Sequence, residues 1–84
     1  MEVKFFNAAW CGPCKQMKPH IDKLVSEGYS IQEVDIDQNP SLAELVEVRG
    51  VPTVSISENG VEVERLVGYE DYDRLKARLD IYKK

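Results

Sequence analysis

At 84 residues, with 11 Lys and Arg against 15 Asp and Glu and a formal net charge of -4, the chain has room for one domain spanning 1–84 and none for a second core. The absence of a basic stripe or a Lys/Arg block argues against nucleic acid or an anionic membrane as partner. The stretch Met1 to Phe6 lacks the apolar core of a signal peptide and no apolar run approaches the ~20 residues of a membrane span, so a soluble, cytoplasmic protein is expected.

In chain order, Val3 to Asn7 is short and largely apolar, with Lys4 its lone charge, as in a strand covered on both faces. From Pro13 onward Cys14, Met17, Ile21, Leu24 and Val25 recur at helical spacing, and Gly28 supplies a stop. Cys11 thus stands at a helix start, while Pro19 inside the helix predicts a kink near Lys15 to Lys18. Tyr29 to Ile36 alternates, Val34 and Ile36 against Glu33 and Asp35, which predicts a half-exposed strand. Asn39 reads as a helix cap with Pro40 at the first helical position; Leu42, Leu45 and Val46 form the apolar stripe, and Arg49-Gly50 the end.

Val51-Pro52-Thr53 leads into a strand from Val54 to Ser57, and Asn59-Gly60 turns it into a second from Val61 to Val67, a hairpin signal. Tyr72, Leu75, Leu79 and Tyr82 are the buried stripe of a last helix that begins near Glu70 or Asp71, and Lys83 and Lys84 read as a solvated tail. The order is βαβαββα, an α/β fold. Its strand-helix-strand unit needs parallel pairing and its hairpin antiparallel pairing, so four strands make a mixed sheet with three helices.

Only two cysteines occur, three positions apart, too few and too close for the disulfide framework of a small secreted fold. In a reducing compartment such a pair reads as redox chemistry, with a zinc half-site or an inert local bridge as the other readings. Zinc usually takes four ligands, and beyond the two thiols the chain offers only His20 and carboxylates, so no metal is expected. His20 itself lies nine positions past Cys11, about 13 Å along a helix, and reads as a solvated helix residue.

Trp10-Cys11-Gly12-Pro13-Cys14-Lys15, Asp35-Ile36-Asp37-Gln38-Asn39-Pro40 and Arg49-Gly50-Val51-Pro52-Thr53 occur in the order of the thioredoxin family, and Gly68 after the last strand fits a further element. The chain resembles that family over nearly its whole length, as a minimal member of glutaredoxin length without the usual N-terminal strand and helix. The resemblance implies the strand order Ile31–Ile36, Val3–Asn7, Val54–Ser57, Val61–Val67. The first of these is then an edge, and Gln32, Glu33, Asp35 and Asp37 suit it, because charge discourages pairing between molecules.

The implied activity is thiol–disulfide exchange, in the reducing direction because Gly12 and Pro13 separate the cysteines. Cys11 at the helix start meets unpaired N–H groups that favour its thiolate; Cys14, one turn on and more buried, resolves the mixed disulfide. Pro13 fixes the first turn and Gly12 keeps bulk away from Cys11. The resemblance puts substrate contacts at Trp10, Val51, Pro52, Thr53, Gly68 and Tyr69, with Pro52 cis so that the Val51 backbone is open to an extended segment.

Disulfide-containing proteins and a thioredoxin reductase or similar donor are the implied partners of a monomer that holds no cofactor. A glutaredoxin-like or dedicated donor, for example to ribonucleotide reductase, and a thioredoxin-fold binding module are the alternatives. The chain departs from the family under Cys14, where a buried Asp and a neighbouring Lys are usual and Phe5 and Glu33 stand instead. Glu33, on the side of the sheet that Phe5 faces, is therefore a candidate to assist deprotonation of Cys14, against the plainer reading of a solvated edge charge.

Overall fold

The structure, a computed structural model, describes residues 1–83; Lys84, the end of the expected tail, lies outside them. The elements are β1 (Glu2–Asn7), α1 (Gly12–Ser26), β2 (Ile31–Asp35), α2 (Pro40–Leu45), β3 (Thr53–Glu58), β4 (Val61–Val67) and α3 (Tyr72–Tyr82). Among the described residues they give the expected βαβαββα order and one mixed sheet in the order β2-β1-β3-β4. β1 runs parallel to β2 and antiparallel to β3, and β3 pairs antiparallel with β4 across a bulge at Ile56/Ser57.

Register separates the two faces of the sheet. Phe5 lies opposite Glu33 on one side and Val54 on the other, whereas Phe6 lies opposite Val34 and Thr53. Because strand side chains alternate, Val3, Phe5, Val54 and Ile56 share one face. They form one buried cluster with Met17, Ile21 and Leu24 of α1 and Leu75 and Leu79 of α3. Phe6 points the other way, toward a cavity of about 400 Å³ that it shares with Leu45 and Val46 at the end of α2.

Helix α1 continues through Pro19 and closes as the glycine predicts. Gly28 takes φ +102°, its N–H donates to the Val25 carbonyl and that of Tyr29 to the Leu24 carbonyl. This Schellman arrangement takes up carbonyls that the helix itself leaves unpaired. Tyr29 therefore belongs to the helix end, buried at 6% exposure, and β2 begins only at Ile31. Val25, assigned to the apolar stripe, is exposed instead; Lys83 is exposed, as expected of a solvated tail, with its ammonium 4.2 Å from the centroid of the Tyr29 ring.

The α2 expectation fails in two ways. Asn39 makes no side-chain cap bond; its amide donates to the Asp35 carbonyl at 3.0 Å. The helix stops at Leu45, well before Arg49-Gly50, and Ala43 rather than Leu45 is its buried residue. The reason lies in the turn that follows: Glu47 is left-handed at φ 58°, its N–H donates to the Glu44 carbonyl and that of Val48 to the Ala43 carbonyl, so the last carbonyls of α2 are closed off as in a Schellman motif. The Arg65 guanidinium on β4 pins this turn just beyond the helix, donating to the Val46 and Glu47 carbonyls at 2.6 and 3.0 Å, where a cation also suits the negative helix end. The hairpin is as expected, with positive φ at Asn59 and Gly60, which suits a type I′ turn, and Asp71 caps α3 through the Arg74 N–H at 2.9 Å.

Candidate active site

Both cysteines sit at the N-terminus of α1. Cys11 is the N-cap residue in extended backbone, and its Sγ accepts the Cys14 N–H at 3.1 Å. The two are joined as a disulfide with Cα atoms 5.2 Å apart, within the ordinary range for a bridge. Pro13 lies in the first turn, where its missing N–H would have no intrahelical partner. A Cβ added to Gly12 would meet nothing within 4 Å, so this position borders open space. The expected contrast in burial is small in this bridged state, with Cys11 4% and Cys14 3% exposed.

Around this pair the rim residues differ sharply in exposure. Trp10 is 67% exposed, and its indole N–H donates to the Asp37 carboxylate at 2.8 Å, tying the loop after β2 to the residue beside Cys11. The Val51–Pro52 bond is cis and Pro52 is fully buried. The Pro52 carbonyl accepts the Gly68 N–H at 2.8 Å, so the start of β3 and the end of β4 meet there, with Gly68 at φ +98°. Thr53 Oγ1 donates to the Gly50 carbonyl at 2.7 Å. Val51 packs on the cluster that contains Cys11 and Cys14, and among the described residues its N–H and C=O have no hydrogen-bond partner. Tyr69 is half-exposed, with its hydroxyl 2.9 Å from His20 Nε2. His20 is thus joined to the loop after β4 and is not only a solvated residue.

Beneath Cys14 lies a cavity of about 160 Å³ lined by Phe5, Asn7, Ala8, Ala9, Cys14, Lys15 and Lys18. Its floor is apolar, since Phe5 is fully buried where the family resemblance leads one to look for an acid. Glu33 stands across from Phe5 on β2, and its carboxylate accepts Lys18 Nζ at 2.7 Å; Asp22, one turn along α1, accepts the same ammonium at 3.2 Å. The hydrogen bond to Glu33, helped by Asp22, holds the Lys18 pKa above the ordinary lysine value. Lys18, Asp37 and His20 are contacts that the sequence did not single out as parts of this region. Only the Asp35-to-Pro40 motif hinted at Asp37. Among the described residues no group of three or more His, Cys, Asp or Glu side chains could hold a metal ion, and no helix is long and apolar enough to cross a membrane.

The thioredoxin family model matches residues 2–81. Mitochondrial thioredoxin of Mus musculus is 43% identical over 77 residues, which cover 88% of this chain and 46% of that protein. Thioredoxin of Chlamydia trachomatis serovar D is 44% identical over 72 residues, covering 83% of this chain and 71% of that protein. The chain therefore spans about half the length of the mitochondrial relatives and more of the bacterial one. Among solved structures, a mutant thioredoxin from Halobacterium salinarum NRC-1 superimposes with a TM-score of 0.90 at 37% identity, over 98% of this chain and 74% of that one. Fasciola hepatica thioredoxin gives 0.89 at 32% identity, over 96% and 79%.

Proposed function

The chain belongs to the thioredoxin family, and from that footing we propose that it is a protein-disulfide reductase that works by dithiol–disulfide exchange through Cys11 and Cys14. The observation that carries the reading is the cap: Cys11 Sγ accepts a helix N-terminal N–H, at 3.1 Å, beside a second cysteine already in bridging range. The same N–H groups and the positive helix end favour a thiolate on Cys11 in the reduced form.

In the reaction the Cys11 thiolate attacks one sulfur of a substrate disulfide, the substrate S–S bond breaks, and the second substrate sulfur leaves as a thiolate that takes up a proton. Cys14 then gives up its proton and its thiolate attacks Cys11 Sγ. The mixed disulfide breaks, the first substrate sulfur leaves, and the Cys11–Cys14 bond forms. Two electrons have passed from the dithiol to the substrate.

In this reading an extended substrate segment pairs with the open Val51 backbone, bordered by Trp10, Pro52, Thr53, Gly68 and Tyr69, in the manner of strand addition. Pro13 and Gly12 support the turn and the approach to Cys11, and Glu33 serves Cys14. The unit that acts is one domain over 1–84, monomeric and cytoplasmic, with protein disulfides as substrates and a thioredoxin reductase or similar two-electron donor as partner. It carries no cofactor of its own. An acidic balance without a basic patch agrees with protein partners rather than nucleic acid or a membrane.

The test is insulin reduction by the chain supplied either with NADPH and a thioredoxin reductase or with glutathione. Turnover in the first arm is expected. Cys11→Ser abolishes it, and Cys14→Ser accumulates the mixed disulfide. Absence of turnover with every donor would overturn the reading, and turnover with glutathione alone would move the chain to the glutaredoxin-like role.

A further inference from the structure

Attack by Cys11 has its helix terminus, but the resolving thiol needs something different. Cys14 lies inside the first turn with its own N–H given to Cys11 Sγ, and it is 3% exposed. A buried thiol is reluctant to ionise, because taking it out of water disfavours the charged form. The cavity beside it offers no acid or base on its floor: from β1 it presents Phe5 and Asn7.

Building on the dithiol reading above, we propose that Lys18, held by Glu33, is a positioning residue that favours the thiolate of Cys14 during resolution of the mixed disulfide. Lys18 is four positions from Cys14 on α1, which puts the two on the same side of the helix with Cβ atoms about 5–6 Å apart. Both line the same cavity. The ammonium is anchored from two elements, by Glu33 on β2 and by Asp22 on α1 itself. Its raised pKa keeps it protonated through the neutral range, so it accepts no proton. It acts through its field, and the Cys14 proton leaves to solvent.

The other charges facing Cys14 do not supply this. On α1, Lys15 lines the cavity and among the described residues has no carboxylate to hold it there, and Asp22 lies a further turn away. From β2 only Glu33 approaches, and it does so through Lys18, because the Asp35 carboxylate is turned into its own loop onto the Asp37 and Gln38 N–H groups. β3 and α3 present Val54, Leu75 and Leu79 to the shared core. The cation is thus a charge on the wall of the thiol's own cavity that two carboxylates anchor, and Glu33 assists deprotonation by keeping it there rather than by taking the proton.

The experiment uses a Cys11→Ser background, where Ser keeps a capping side chain and Cys14 is the sole thiol. Its titration is followed by thiolate ultraviolet absorbance. A half-exposed ammonium at this range in near-aqueous dielectric lowers a thiol pKa by about half a unit, an effect that weakens with salt. Lys18→Met is expected to raise the Cys14 midpoint by about that amount at low salt, about a threefold loss of thiolate below the midpoint. Lys18→Arg restores it, and Glu33→Gln, which loosens the ammonium but leaves Asp22 to hold it and also removes a negative charge, raises the midpoint by less than Lys18→Met does.

An unmoved titration in Lys18→Met, or failure of Arg to restore it, overturns the proposal. So does a Glu33→Gln rise as large as that of Lys18→Met, since Glu33 would then act on the thiol directly. The titration needs no turnover. A chain that reduces nothing yet titrates this way contradicts only the reductase reading, and an active reductase whose Cys14 ignores Lys18 contradicts only this inference.

Discussion

Replacing Phe5 by the acid that the family usually carries under its second cysteine is expected to damage this chain, because here the site is built as core. Phe5 is fully buried, opposite Val54 and Glu33 in the sheet and part of the cluster that contains Met17, Leu24 and Ile56. Truncating a buried Phe costs about 3–5 kcal/mol in lost transfer energy and residual cavity. An Asp carboxyl without a designed partner adds about 1–3 kcal/mol of unmet hydrogen bonding. A domain of this length has about 4–13 kcal/mol in all. Phe5→Asp is therefore expected to cost about 4–8 kcal/mol, from about a third of the stability to all of it, and Phe5→Leu, which keeps an apolar side chain, about 1–2 kcal/mol.

Urea unfolding of the disulfide forms, followed by circular dichroism, measures both losses. The Asp variant has a further signature. Burial raises the folded-state pKa of the new carboxyl above its unfolded value, so the native state holds the proton longer and the deficit against wild type grows as pH rises above the unfolded value of about 3.9. A Phe5→Asp chain within 1 kcal/mol of wild type, with no such pH trend, would refute the view of this site as packed core.

Two further outcomes follow from contacts elsewhere in the fold. Glu64 on β4 binds Arg78 and, at 2.7 Å, the Tyr82 hydroxyl on α3, and its pKa is lowered chiefly by the Arg78 hydrogen bond. That contribution is present above the unfolded value of 4.5 and is lost as pH falls through the lower folded value, so the melting temperatures of wild type and Glu64→Gln should differ at neutral pH and converge in acid. A constant gap across pH would exclude the linkage. At Glu47, φ 58° is left-handed backbone that an L side chain adopts at a cost, and Glu47→Gly should stabilise the chain by about 0.5–1 kcal/mol, raising Tm by about 2–8 °C; a fall in Tm would mean that the Glu47 side chain contributes more than its backbone costs.

What the sequence made legible follows from interactions that are short in range. Apolar spacing located α1 and α3, Gly28 its Schellman end and Asn59-Gly60 the hairpin, and the placement of Cys11 at a helix start followed from the same periodicity. The strand order came only from the family motifs. The errors share a cause. α2 ends early at a left-handed Glu47, a residue type that carries no such turn signal, in a turn held by a guanidinium 19 residues from Val46. Trp10 meets Asp37 across 27 residues, and His20 meets Tyr69 across 49. Lys18 carries no local signal, and Glu33 reads either as an aid to Cys14 or as a solvated edge charge; only the parallel register of β1 and β2, with α1 laid over it, makes them a pair. Side-chain pairings between elements depend on register and crossing geometry, which no local pattern carries.

The bond from Gly68 N–H to the Pro52 carbonyl means that the β3–β4 hairpin begins and ends at one point. The wall beside Val51 is consequently a closed stretch of chain, held by ladder bonds along its length and fastened where its two ends leave the sheet. Its ordering entropy is lost once, on folding, so a segment of the kind proposed to pair there would have little left to immobilise on that side. Preorganisation of this kind means that the edge beside Val51 is already rigid in the folded chain.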